Sequence, residues 1–262
     1  MTTSITSQKT CTPASARLAA DRHDAVTTLV LHLAPGVAVV AAALPLGRLA
    51  TSQGLPPTAG LMAATVLVLM PVQLGIIAVA ARRRTGSWRL RGALGYTRRL
   101  PARVLVGFGL ATLTWAGLAF TLSAPISETL HATLFAWWPT ELDYTAHLAA
   151  PDRYARGQLI GVWAAGLLIT TLAAPIVEEL YFRGFLLPRL EHLGRWAPVL
   201  NTILFALYHL WSPWQLLTRV TATLPLYYAT WRTRAVWLAI VVHVALNLIG
   251  DTLATIPVVF GS

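Results

Sequence analysis

Six residues break otherwise apolar runs with side chains that can do acid–base chemistry: Glu178 and Glu179 with Arg183 shortly after, His209 four residues beyond Phe205, and His243 four residues ahead of Asn247. A carboxylate in a poorly hydrated pocket serves as a general base, and an imidazole takes or returns a proton. Neutral N–H donors aimed at a developing oxyanion gain strength where water is scarce. Glu178, His209 and His243 are also zinc-ligand types, with water as the fourth ligand. The pattern lacks HExxH, in which one helical face fixes both histidines, and here each His stands in a different run. Asn247 suits an oxyanion hole better than a zinc shell. The reading is therefore metal-free glutamate and histidine chemistry with no cofactor required, and zinc as its alternative.

Spacing narrows the roles. On a helix, residues four apart share a face, so Arg183 partners Glu179, while Glu178 projects about 100° away toward something else. The bland readings are that both glutamates lock helix packing through Arg183, that each His is a hydrogen-bonded packing residue and that Asn247 glues helices together. Depth argues otherwise. Counted along ideal helices, Glu178 lies roughly 18 Å from one end of its run and His209 roughly 20 Å into the next, with His243 and Asn247 about 12 and 18 Å into theirs. Ionisable groups at such depth point to function. His23, His32, His131, His147 and His192 have no partner at matched depth and read as structural. Asp251 is expected at the outer interface, and Arg219 either snorkels or pairs internally.

The elements that must carry these residues are membrane helices. With 56% hydrophobic and 11% charged residues among 262, the chain is a polytopic membrane protein. Apolar runs over 25–46, 56–81, 104–124, 158–190, 196–211, 214–231 and 235–251 give an all-α bundle of seven or eight transmembrane helices. The fifth and sixth runs are short for a crossing and need support from protein or the interface. Residues 1–24 form a flexible polar tail, 25–157 the first spans and their connectors, 158–251 the core with the motifs, and 252–262 a second tail. The net charge of +10 is scattered through connectors, which excludes a nucleic-acid partner. Arg82, Arg83, Arg84, Arg89, Arg91, Arg98, Arg99 and Arg103 follow the second run, whereas Glu128, Glu141, Asp143 and Asp152 dominate after the third. The basic side, with the N-terminus, is expected in the cytoplasm of a cell-membrane protein. The connector 88–103 is expected along the anionic inner leaflet. Cys11 is the single cysteine and closes no internal disulfide.

Glu178-Glu179-Leu180-Tyr181-Phe182-Arg183 is an EExxxR motif, Phe205 to His209 is FxxxH and His243 to Asn247 is HxxxN. Three such motifs, in this order and in separate apolar runs, resemble the CAAX prenyl endopeptidases and the bacterial CPBP or Abi proteins linked to bacteriocin self-immunity. The resemblance spans about residues 158 to 251. It implies an intramembrane protease in which Glu178 and His209 activate water while His243 and Asn247 stabilise the oxyanion, with Glu179, Arg183 and Phe205 supporting them. It implies a membrane-held peptide or protein as partner: a prenylated CAAX tail, a leader peptide or a pheromone precursor. Two other classes fit buried Glu and His: a proton-coupled transporter subunit, and a non-catalytic scaffold of immunity type.

Overall fold

The structure, a computed structural model, describes residues 22–143 and 147–260, so most of the expected N-terminal tail lies outside the described residues. Seven helices form among the described residues: α1 Ala25–Ser52, α2 Thr58–Thr85, α3 Ala102–Thr133, α4 Arg156–Leu193, α5 Trp196–Tyr208, α6 Leu216–Thr233 and α7 Val236–Phe260. Five of them, α1, α2, α3, α4 and α7, are long and apolar enough to cross a membrane. The chain is a multi-pass, all-α membrane protein. Leu118, Leu122, Leu168 and Leu253 are exposed on its outer faces, as lipid-facing side chains should be.

Several ends differ from expectation. Helix α3 passes Pro125 and continues to Thr133, so Glu128 sits in a helix and not in the acidic connector. Helix α7 runs through Asp251 to Phe260 where a tail was expected from 252. Asp251 does not close that helix at an outer interface, because its carboxylate accepts a hydrogen bond from Thr171 of α4. A proline removes one donor, which a long helix tolerates when other groups fill the gap. Apolar runs alone do not reveal such compensation.

Prolines also set the internal geometry. Three stretches widen to π-helical turns, Thr65–Leu69, Leu167–Ala173 and Leu180–Leu186, and each ends two residues before a proline: Pro71, Pro175 and Pro188. The pyrrolidine ring cannot donate and clashes with the carbonyl four residues back, so the chain accommodates it by inserting one residue into the preceding turn. Carbonyls released this way become docking points. Pro35 frees the Leu31 carbonyl, which accepts the Tyr181 hydroxyl at 2.6 Å. Pro225 frees Thr221, which accepts the Trp115 indole at 2.9 Å. Pro188 frees Gly184, which accepts the Gly95 amide at 2.8 Å.

That last bond seats the α2–α3 connector against the bundle. Thr97 and Ala235 form an isolated antiparallel bridge, and Arg98 N–H donates to the Arg234 carbonyl at 3.0 Å. Buried in these contacts, Tyr96 has its hydroxyl pKa pushed up to about 12. The connector expected to lie on the leaflet is thus partly built into the protein. Gly36 matters in the same way: a Cβ there would strike the Tyr208 carbonyl, so only glycine lets α1 touch the C-terminal end of α5.

Candidate active site

Glu178 and Glu179 occupy the α-helical segment Ala174–Glu179, held between the two π-helical stretches of α4. Both are buried, at 6% and 1% exposure. Each wide turn inserts a residue and so rotates the next part of the helix by about 100° relative to an unbroken α-helix. The two prolines of α4 therefore set which neighbours the carboxylates meet.

Glu179 meets two cationic partners. Arg183 Nε lies 3.2 Å from its Oε2, the i,i+4 pair expected from spacing. Arg183 is fully buried, its guanidinium 3.4 Å from the centre of the Tyr227 ring and 3.9 Å from that of Phe205. The distance to Glu179 is that of an ion pair, yet no N–H of Arg183 meets hydrogen-bond geometry. Coulomb attraction and two aromatic faces hold it. On its other oxygen, Oε1, Glu179 accepts a 2.8 Å hydrogen bond from His243 Nδ1.

Glu178 projects elsewhere. Its Oε1 accepts the Tyr208 hydroxyl at 2.7 Å, and its Oε2 lies 4.0 Å from His243 Nε2. Tyr208 went unnoticed in the sequence; the only signal there was a hydroxyl residue beside His209. Because a carboxylate accepts the Nδ1–H of His243, the Nε2 facing Glu178 is the nitrogen left for chemistry.

His209 lies outside the helix in which it was expected. Helix α5 ends at Tyr208, and His209 is its C-cap with φ −77° and ψ 57°. The Phe205 carbonyl, left without a helical partner at this end, accepts the His209 Nδ1–H at 2.8 Å. That leaves Nε2 as a lone pair in the neutral ring. The ring centres of Phe205, Tyr208 and Trp211 lie 4.6, 4.6 and 4.8 Å away. Phe205 also stands 6.2 Å from the ring of His243, so the histidines of α5 and α7 flank one phenylalanine. Arg219, whose placement was open, pairs internally with Ser212 and Gln215 beside this cap.

Asn247 sits one turn beyond His243 and donates its Nδ2 to the Thr170 carbonyl at 3.0 Å. That carbonyl is released by the π turn, because the Ala174 N–H bonds Ile169 and Pro175 has no N–H to offer. One amide hydrogen of Asn247 is thus committed to the wall, leaving the second. Among the structural histidines, His32 is fully buried and meets Asn201 Nδ2 at 3.1 Å, and Asn201 also donates to the Phe182 carbonyl. This network ties α1, α4 and α5 together behind the carboxylates.

The arrangement does not fit a zinc site. Among the described residues, no group of three or more His, Cys, Asp or Glu side chains is placed to hold a metal ion. Glu178 approaches His243 alone, and His209 is turned into its aromatic surround.

Residues 160–249 match the model of a family described as type II CAAX prenyl endopeptidase, Rce1-like. No curated protein and no solved structure matches the chain. All three motifs fall inside the matched segment, together with the Tyr208 hydroxyl that meets Glu178. By this match, residues 160–249 belong to the Rce1-like, type II CAAX prenyl endopeptidase family, a family of membrane-embedded proteases.

Proposed function

We propose that this chain is an intramembrane endopeptidase that hydrolyses a peptide bond of a membrane-held, CAAX-type substrate. The juxtaposition of Glu178 Oε2 and His243 Nε2 across 4.0 Å carries this reading. An oxygen about 2.8 Å from both, an ordinary hydrogen-bond distance, sits at the apex of a nearly right-angled triangle between them. A water there is positioned to lose its proton to Glu178, with the Nε2 of His209 as the nearby second acceptor. As the hydroxyl oxygen bonds the carbonyl carbon, charge gathers on the carbonyl oxygen. His243, stabilised as a cation by Glu179, and the second N–H of Asn247 are the donors for it. The proton held by Glu178 passes to the leaving amine as the C–N bond breaks. Arg183 and Phe205 keep Glu179, and through it His243, in place.

No step requires a metal. The concentration of arginines in the α2–α3 connector supports a cytoplasmic location for that end in the cell membrane. The test compares membrane proteomes of cells carrying the wild-type chain or Glu178→Ala. A membrane peptide cleaved only with the wild type is expected, and cleavage of it by detergent-purified protein should survive exhaustive chelation. Identical proteomes would overturn the protease reading. Stoichiometric zinc whose removal abolishes cleavage, and whose return restores it, would overturn the metal-free one.

A further inference from the structure

A cavity of about 840 Å³ opens between α1, α2 and α4, away from the carboxylates. Its walls are apolar, formed by Leu31, Val72, Ile76, Val79, Ala80 and Phe185. Arg22, Arg83 and Arg84 line it as exposed residues, and Arg189 is buried in its wall with its guanidinium 3.9 Å from the centre of the Phe185 ring. No acidic residue lines the cavity, and neither Glu178, His209, His243 nor Asn247 reaches it. Asp24, the nearest acid in sequence to Arg22 on the helix side, is turned to cap α1 by accepting the Thr27 amide at 2.7 Å. Gly75 lines the groove, and a side chain built there meets no atom within 4 Å.

We infer that this groove binds an anionic glycerophospholipid, with an acyl chain along the apolar wall and the headgroup phosphate on the arginines. Arg83 and Arg84 belong to the last turn of α2, a helix long enough to span, so they stand where apolar helix gives way to a charged connector. That pairing of an apolar wall with a multi-arginine end matches an acyl chain and its phosphate. The chain's own first 21 residues are a poor occupant, since they carry Lys9 and Arg17 against Asp21 alone. The site does not depend on the protease reading.

The experiment is native mass spectrometry of delipidated, full-length protein in neutral detergent, titrated separately with phosphatidylglycerol, phosphatidylcholine of equal chain length, and inorganic phosphate. One phosphatidylglycerol per chain should bind at least about tenfold more tightly than phosphatidylcholine. The double variant Arg83→Gln/Arg84→Gln should weaken phosphatidylglycerol by about ten- to thirtyfold and leave phosphatidylcholine unchanged. Gly75→Leu, which fills the groove and leaves every arginine in place, should weaken both lipids while thermal unfolding in detergent stays as in the wild type. Equal binding of the two lipids would overturn the inference, as would phosphatidylglycerol affinity unmoved by both variants. Displacement of phosphatidylglycerol by equimolar inorganic phosphate would make the site one for a free anion. Displacement by a lower concentration of an apolar peptide with a free carboxyl terminus would make it a peptide site. Either result sinks the lipid.

Discussion

Glu178 and Glu179 are adjacent and both buried, yet their surroundings divide them. Glu179 faces Arg183 and His243, whereas Glu178 keeps one oxygen on Tyr208 and the other toward the His243 Nε2. Only Glu178 has an oxygen free of a short protein contact. Tyr208→Phe removes a hydroxyl and keeps the ring that packs on Phe182 at 4.8 Å. A hydrogen bond to a charged acceptor is worth about 1.5–3 kcal/mol, so kcat should fall about ten- to a hundredfold with little change in thermal unfolding. Unchanged kcat would remove Tyr208 from the machinery. Arg183→Ala should behave differently, because it strands Glu179 as a buried carboxylate and deletes the cation between Tyr227 and Phe205. A loss of roughly 3–5 kcal/mol is expected, seen as a lower unfolding temperature in detergent and poorer expression. Stability equal to that of Glu178→Gln would show that the pair is not buried as described.

At the scale of elements, prolines act as connectors. Pro35, Pro188 and Pro225 each release a carbonyl that a different segment then occupies: Tyr181 of α4, Gly95 of the α2–α3 connector and Trp115 of α3. In lipid an unfilled carbonyl is costly, so these bonds fix which helices meet and at what height. Tyr181→Phe should leave the Leu31 carbonyl unpaired and destabilise the fold by about 1–3 kcal/mol. Pro35→Ala added to it restores an N–H four residues along α1, so the double variant should recover much of that loss. The check is a double-mutant cycle on unfolding temperatures in detergent. Simple additivity of the two losses would mean that the proline and the hydroxyl are not linked through this carbonyl.

For the molecule as a whole, five helices can span and two cannot do so by length and apolar composition. Helix α5 has 13 residues, and α6 carries buried Arg219. Both are held by protein: α5 through Asn201 to α1 and α4, and α6 through Trp115 and the Ser127–Thr218 contact of 2.8 Å to α3. The short α5 ends within the bundle, and its unsatisfied last turn is what receives His209. The proposed orientation is tested with membrane-impermeant thiol labelling in a Cys11→Ser background. Ser87→Cys, after α2, should label only in permeabilised cells, and Gln53→Cys, before α2, in intact ones. The reverse pattern would put the arginine-rich connector outside.

The sequence by itself determined how many helices form, because hydrocarbon demands about 20 apolar residues per crossing and every polar interruption is conspicuous. It also determined the Glu179–Arg183 pair, since four residues on one helix share a face whatever surrounds them. It set the motif residues apart from the other histidines by depth along the helix. Tertiary structure alone decided the rest. The partner of His243 is Glu179 and not Glu178 because the rotation of α4 depends on two proline-induced wide turns, whose phase local spacing does not contain. The same turns released the carbonyl that holds Asn247. Tyr208 reaches Glu178 because glycine at position 36 lets α1 meet the end of α5, and Asp251 turns to Thr171 because α7 continues past it. Contacts between helices depend on their relative rotation and height, and these are set by packing and by the satisfaction of backbone groups across the whole bundle.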